Sequence, residues 1–118
     1  KDVLRMAPGM GFLQEAVVDQ HFAQRGRIGR LVTVIAQNPH VLGIGIDEDT
    51  AVYISDDGKL QVIGNNTVTI LDGTRVQISN ASESSVEEPL AVTGLCVHVL
   101  AKGFGFDMVS RRPYAVEN

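Results

Sequence analysis

The stretch Arg27-Ile28-Gly29-Arg30-Leu31-Val32-Thr33-Val34-Ile35-Ala36-Gln37-Asn38-Pro39 decides the architecture. Ile28, Leu31, Val32 and Ile35 recur at i, i+3, i+4 and i+7, the spacing that lines one helical face, and Asn38-Pro39 supplies the stop. The spacing predicts a helix over 27–37. Gly29 inside it costs roughly 1 kcal/mol relative to alanine, which implies close packing against a neighbour or a late helix start. Arg27 and Arg30, three apart, share a face away from the apolar stripe.

Outward from this helix lie two apolar runs. Phe12 to Val18 is short and β-branched toward its end, as expected of a strand buried on both faces, and Val41 to Ile46 is a second such run. Strand, helix, strand is the arrangement of a parallel pair. In open α/β sheets ligands gather at the carboxyl ends of strands. There the sequence sets Asp19-Gln20-His21 after the first run and Asp47-Glu48-Asp49-Thr50 after the second. Upstream, the breaker cluster Met6-Ala7-Pro8-Gly9-Met10-Gly11 makes 1–11 read as a connecting segment.

Downstream the texture changes to hairpins. Ala51 to Ser55 and Leu60 to Ile63 flank Asp56-Asp57-Gly58-Lys59, and Thr67 to Leu71 and Arg75 to Ser79 flank Asp72-Gly73-Thr74, both with the Asp-Gly turn signal. Asn80 to Pro89 reads as a solvated acidic loop. A last strand over Leu95 to Leu100 is followed by Gly103-Phe104-Gly105-Phe106 and a polar tail.

With 118 residues and 44% hydrophobic content, the chain can bury one modest core. Its net charge of −4 argues against a general nucleic-acid or membrane-surface binder, which needs a basic excess. No apolar run approaches the ~18 residues of a membrane span. The single cysteine, Cys96, has no internal disulfide partner and reads as a buried, inert thiol.

Chemistry concentrates between Asp19 and Arg30, where a carboxylate, an amide, an imidazole and the guanidinium groups of Arg25, Arg27 and Arg30 follow one another. Such crowded cations repel unless paired with acids or awaiting an anionic ligand. His21 is the best general-base candidate, because a neutral imidazole is poised near pH 7. Glu48, 27 residues on, can reach the same cleft and orient that base, or it can be a turn acid like Asp47 and Asp49. No Gly-x-Ser-x-Gly elbow supplies a nucleophile. No cluster has metal-ligand spacing.

The strings Val17-Val18-Asp19-Gln20-His21-Phe22, Arg25-Gly26-Arg27-Ile28-Gly29-Arg30-Leu31 and Leu42-Gly43-Ile44-Gly45-Ile46-Asp47-Glu48-Asp49-Thr50-Ala51 closely resemble the cyanophycinase family, serine exopeptidases related to dipeptidase E. The resemblance is strongest from Gly9 to Val52 and continues through Leu71-Asp72-Gly73 and Val97-His98-Val99-Leu100. It implies an α/β fold like the class I glutamine amidotransferases, here the C-terminal part of a flavodoxin-like sheet with an added β-hairpin-rich region. It also implies a catalytic serine upstream and, as substrate, cyanophycin, a poly-aspartate with arginine on each β-carboxyl, released as β-Asp-Arg dipeptides. By motif, His21 matches the triad base and Glu48 its acid, and Asp19, Gln20, Arg25, Arg27 and Arg30 match the substrate pocket. No cofactor or metal is implied.

On this reading 1–118 is a single C-terminal portion of a peptidase domain, with active-site residues in 1–50, a β-rich remainder in 51–118 and the N-terminal half absent. Alone it is expected to be inactive. Its partners are expected to be the substrate, the missing half with the nucleophilic serine and a second copy in a homodimer, with no nucleic acid or membrane. A cytoplasmic location is expected, with a secreted form left open. Two other readings are a dipeptidase E-like enzyme acting on short aspartyl peptides and a non-catalytic β-rich binding or assembly module.

Overall fold

The helix forms where the apolar spacing places it: α1 spans Arg27–Gln37 in a computed structural model that describes residues 3–6, 16–20, 27–81 and 89–116. Leu31 and Ile35 are fully buried on its inner face, and Ile28, expected in the same stripe, is half exposed. Asn38 ends the helix by folding back. Its side-chain amide donates to the Val34 carbonyl at 3.0 Å, and its backbone amide donates to the same carbonyl at 3.1 Å. A Cβ added at Gly29 would meet nothing within 4 Å, so close packing is not the reason for that glycine. The close approach lies on the strand below, at Gly43, where a Cβ would press on Ile35.

Around α1 run β1 (Val3–Met6), β2 (Ala16–Gln20), β3 (Leu42–Ile46), β6 (Val68–Asp72) and β9 (Cys96–Leu100), hydrogen-bonded in the order β1-β2-β3-β6-β9. β2 and β3 are parallel, as the strand-helix-strand pattern requires, and the other pairs are antiparallel. A second sheet, β11-β10-β5-β4, is built from β4 (Thr50–Ile54), β5 (Lys59–Gly64), β10 (Phe104–Asp107) and β11 (Arg112–Ala115). A short ribbon pairs β7 (Ile78–Ser79) with β8 (Val92–Thr93).

Side-chain alternation along the strands divides the core in two. Val18, Ile44, Ile46, Val68 and Ile70 pack against Leu60, Val62, Phe106 and Met108 of the second sheet and the turn after β10. Val17, Val41 and Leu71 pack under Leu31 and Ile35 of the helix. The layers are therefore helix, mixed sheet, antiparallel sheet.

The α/β class and the first hairpin, β4 with β5, match the sequence reading. Several expectations do not. The segment expected to be a mere connection contains β1, which pairs with β2. The strand expected over Phe12 to Val18 continues to Gln20, and positions 12–15 lie outside the described residues. The Asp72-Gly73-Thr74 turn does not close a hairpin: β6 pairs with β3 and β9 instead. There the Asp72 carboxylate accepts the Thr74 amide at 3.0 Å and its hydroxyl at 2.8 Å, an Asx-type turn that leads the chain off the sheet. Finally, the glycine-rich run and polar tail form the hairpin β10–β11.

Candidate active site

The parallel register sets Gln20 opposite Ile46, so the carboxyl ends of β2 and β3 finish level with each other. A cleft of about 200 Å³ opens there, lined by Gln20, Ile46, Asp47, Glu48, Asp49 and Thr50. The sheet end thus brings Gln20 of the first motif beside Asp47-Glu48-Asp49-Thr50 of the second.

The three acids after β3 do different work. Asp47 Oδ2 accepts the Thr67 hydroxyl at 2.9 Å, and the Asp47 amide donates to the Thr67 carbonyl at 3.2 Å. Asp49, in the left-handed region at φ 59°, accepts the Asn65 side-chain amide at 2.7 Å and the Asn65 backbone amide at 3.0 Å. Asp47 and Asp49 are the turn acids. Glu48 contributes only its backbone carbonyl, which accepts the Asn66 side-chain amide at 2.7 Å and the Thr50 hydroxyl at 3.0 Å. Its carboxylate is exposed and makes no hydrogen bond or ion pair among the described residues.

The brace is the β5–β6 loop. Gly64 sits at φ 114°, and a Cβ there would stand 2.5 Å from the Asp49 carbonyl oxygen, so only glycine lets Asn65 and Asn66 reach across. The main chain on both sides of Glu48 is held while its side chain is left available.

Asp19, one residue before the end of β2, has no exposed surface, and both its carboxylate oxygens are sealed from solvent. Gln20 is exposed beside it. Arg30 is exposed on the first turn of α1. Arg27 opens that helix, with a side chain outside the described residues. His21 and Arg25 also lie outside the described residues.

Sequence reasoning missed a second cluster. At the other end of the main sheet a cavity of about 520 Å³ is lined by Asp72, Arg75, Cys96, His98, Arg111 and Arg112, among others. Arg111 Nη1 donates to Asp72 Oδ1 at 2.8 Å, and Arg111 also donates to the His40 carbonyl. Burial pushes the Asp72 carboxyl up, but the Thr74 amide and hydroxyl and the Arg111 guanidinium together outweigh it and hold the group below its ordinary 3.8. Cys96 is half-buried, not sealed in the core as expected, and its Sγ lies 3.4 Å from His98 Nε2. The alternation that puts Cys96 and His98 on one face of β9 was the available signal.

No family model matches the chain. Among curated proteins, cyanophycinase of Trichormus variabilis is 43% identical over 111 residues, 94% of this chain and 37% of the relative. Cyanophycinase of Geminocystis herdmanii is 41% identical over 110 residues, 93% of the chain and 40% of the relative. Cyanophycinase of Synechococcus elongatus is 38% identical over 118 residues, 100% of the chain and 36% of the relative. The chain spans little more than a third of the length of these relatives. Over nearly all of its own length it is related to the cyanophycinases.

Proposed function

We propose that this chain supplies the base and the acid of a serine-type exopeptidase that hydrolyses cyanophycin to β-Asp-Arg dipeptides. The observation that carries the reading is the uncommitted Glu48 carboxylate, standing past β3 level with the end of β2, while Asp47 and Asp49 are spent on the turn. His21 follows Gln20 by one peptide link, so a carboxylate carried at that level on a braced main chain is suited to orient its imidazole. The relatives, all cyanophycinases by name, supply the substrate class.

The reaction is acyl transfer. A serine carried by the remainder of the protein adds to the backbone carbonyl of a terminal unit as His21 takes the hydroxyl proton. His21 returns that proton to the leaving amine, and water then hydrolyses the acyl-enzyme with His21 again as base. Glu48 holds the imidazole and stabilises the imidazolium. Exposed Arg30, with Arg25 and Arg27, suits carboxylates of the substrate in bidentate fashion. Asp19, sealed from solvent, suits holding a neighbouring cation in place rather than meeting a diffusing ligand. Gln20 borders the cleft as a neutral hydrogen-bonding wall. In the complete protein these residues are read as part of a larger, flavodoxin-like peptidase domain, with the fragment alone inactive.

In the complete protein, His21→Ala is expected to lower dipeptide release by about four orders of magnitude, and Glu48→Gln by a large but smaller factor. Near-normal turnover of either variant, measured by chromatography of released β-Asp-Arg, contradicts the assignment. Comparison of the polymer with short aspartyl dipeptides separates this reading from a dipeptidase E-like one.

A further inference from the structure

The cavity at the amino end of β3 is a second place where charge has been gathered, and the peptidase reading makes no use of it. Register separates the two ends: Asp72 is paired with Leu42 at the start of β3, and the Glu48 cleft begins at Ile46. Four residues of strand set them about 13 Å apart along the sheet. At about 520 Å³ the cavity is the size of a small-molecule pocket, roughly 300–1,000 Å³.

Its charges are sorted. Arg111 and Asp72 neutralise each other across 2.8 Å, with side chains 14% and 10% exposed. Arg75 and Arg112 line the same space, are exposed, and enter no ion pair among the described residues. The hydrogen bonds to the Asp72 carboxylate among the described residues all fall on Oδ1, from Thr74 and Arg111. Oδ2 of this nine-tenths-buried group is therefore left to accept from something in the cavity. Two uncompensated guanidinium groups and one unfilled carboxylate oxygen are the complement of two carboxylates and one ammonium.

We infer that this cavity binds a dicarboxylic α-amino acid, or a peptide with a free aspartyl amino terminus, through Arg75 and Arg112 on the carboxylates and Asp72 on the ammonium. Guanidinium forks suit planar carboxylates, and Asp72 selects for the amino group, because a ligand lacking it would leave that oxygen unpaired. The inference does not rest on the peptidase reading, and its test does not use turnover.

The experiment is isothermal titration of the complete protein with L-aspartate, succinate and inorganic phosphate. Succinate carries the two carboxylates without the ammonium, so the comparison isolates the role given to Asp72 without altering the Asp72–Arg111 pair. L-Aspartate is expected to bind at least tenfold more tightly than succinate or phosphate. The double variant Arg75→Ala/Arg112→Ala, both exposed positions, is expected to weaken L-aspartate at least tenfold, and Arg30→Ala at the other end is expected to leave it unchanged. Equal binding of succinate or phosphate, an unaffected double variant, loss of binding in Arg30→Ala, or no binding of L-aspartate at millimolar concentration would each overturn the inference.

Discussion

Arg111 shows how much a single residue can be asked to do. It sits at φ 62°, a conformation side chains rarely adopt, in a turn held by Asp107 Oδ1 accepting the Val109 amide at 3.0 Å and the Ser110 amide at 3.2 Å. From there its guanidinium joins the β10–β11 turn to the end of β6 and to the carbonyl of His40 before β3. Because both partners are largely withdrawn from water, Arg111→Ala leaves Asp72 uncompensated. It is expected to cost about 3 kcal/mol, read as a shift in the urea midpoint of the complete protein. The pair also sets an acid dependence. A carboxyl held below 3.8 in the folded state stabilises the fold fully above that value, and the contribution is lost as pH falls through the lower folded-state value. The stability gap between wild type and Asp72→Asn is therefore expected to be widest near neutrality and to close below pH 3.8. A gap independent of pH would contradict it.

Two glycines give opposite predictions at the scale of the element. Gly29 faces open space on α1, so Gly29→Ala is expected to stabilise by roughly 0.5–1 kcal/mol through helix propensity. Gly105 on β10 faces the Tyr114 ring across the pair and the Leu60 carbonyl on β5, so Gly105→Ala is expected to prise β10 from its neighbours and destabilise by several-fold more. Thermal melts of the two variants read both outcomes. The same residues explain which elements the sequence revealed. α1 was legible to its ends because a 3.6-residue period and Asn38-Pro39 are local signals. β10 and β11 were hidden because Gly105 serves a ring directly opposite it in the pair but nine residues away in sequence, and Pro113 reads as a breaker though it lies on an edge strand, where proline is tolerated. The proposed site was legible only in part: the sequence set Asp19, His21 and Glu48 at the carboxyl ends of two expected strands, His21 lies outside the described residues, and only the bonds to Thr67 and Asn65 separate Glu48 from the turn acids.

Across the whole molecule, coverage is unequal. The helix-side face of the main sheet is roofed by α1 over Val17 and Leu71, and it continues onto β9, where Val97 is 49% and Val99 64% exposed. No helix among the described residues lies over them. An open β-branched face beside an edge strand favours association, so the isolated chain is expected to show concentration-dependent sedimentation, reduced by Val97→Lys and Val99→Lys together. A monodisperse monomer at every concentration contradicts this. Among the described residues no helix is long and apolar enough to cross a membrane.

β3 is buried at all five of its positions, bonded to strands on both sides, with the helix above and the second sheet below. Amides in such a strand exchange with solvent deuterium only when most of the structure opens, so they are expected to be among the slowest in the chain. Glu48 stands two residues beyond it. On the proposed function, the carboxylate that has to keep its aim through many turnovers is thus hung from the part of the molecule expected to let go last.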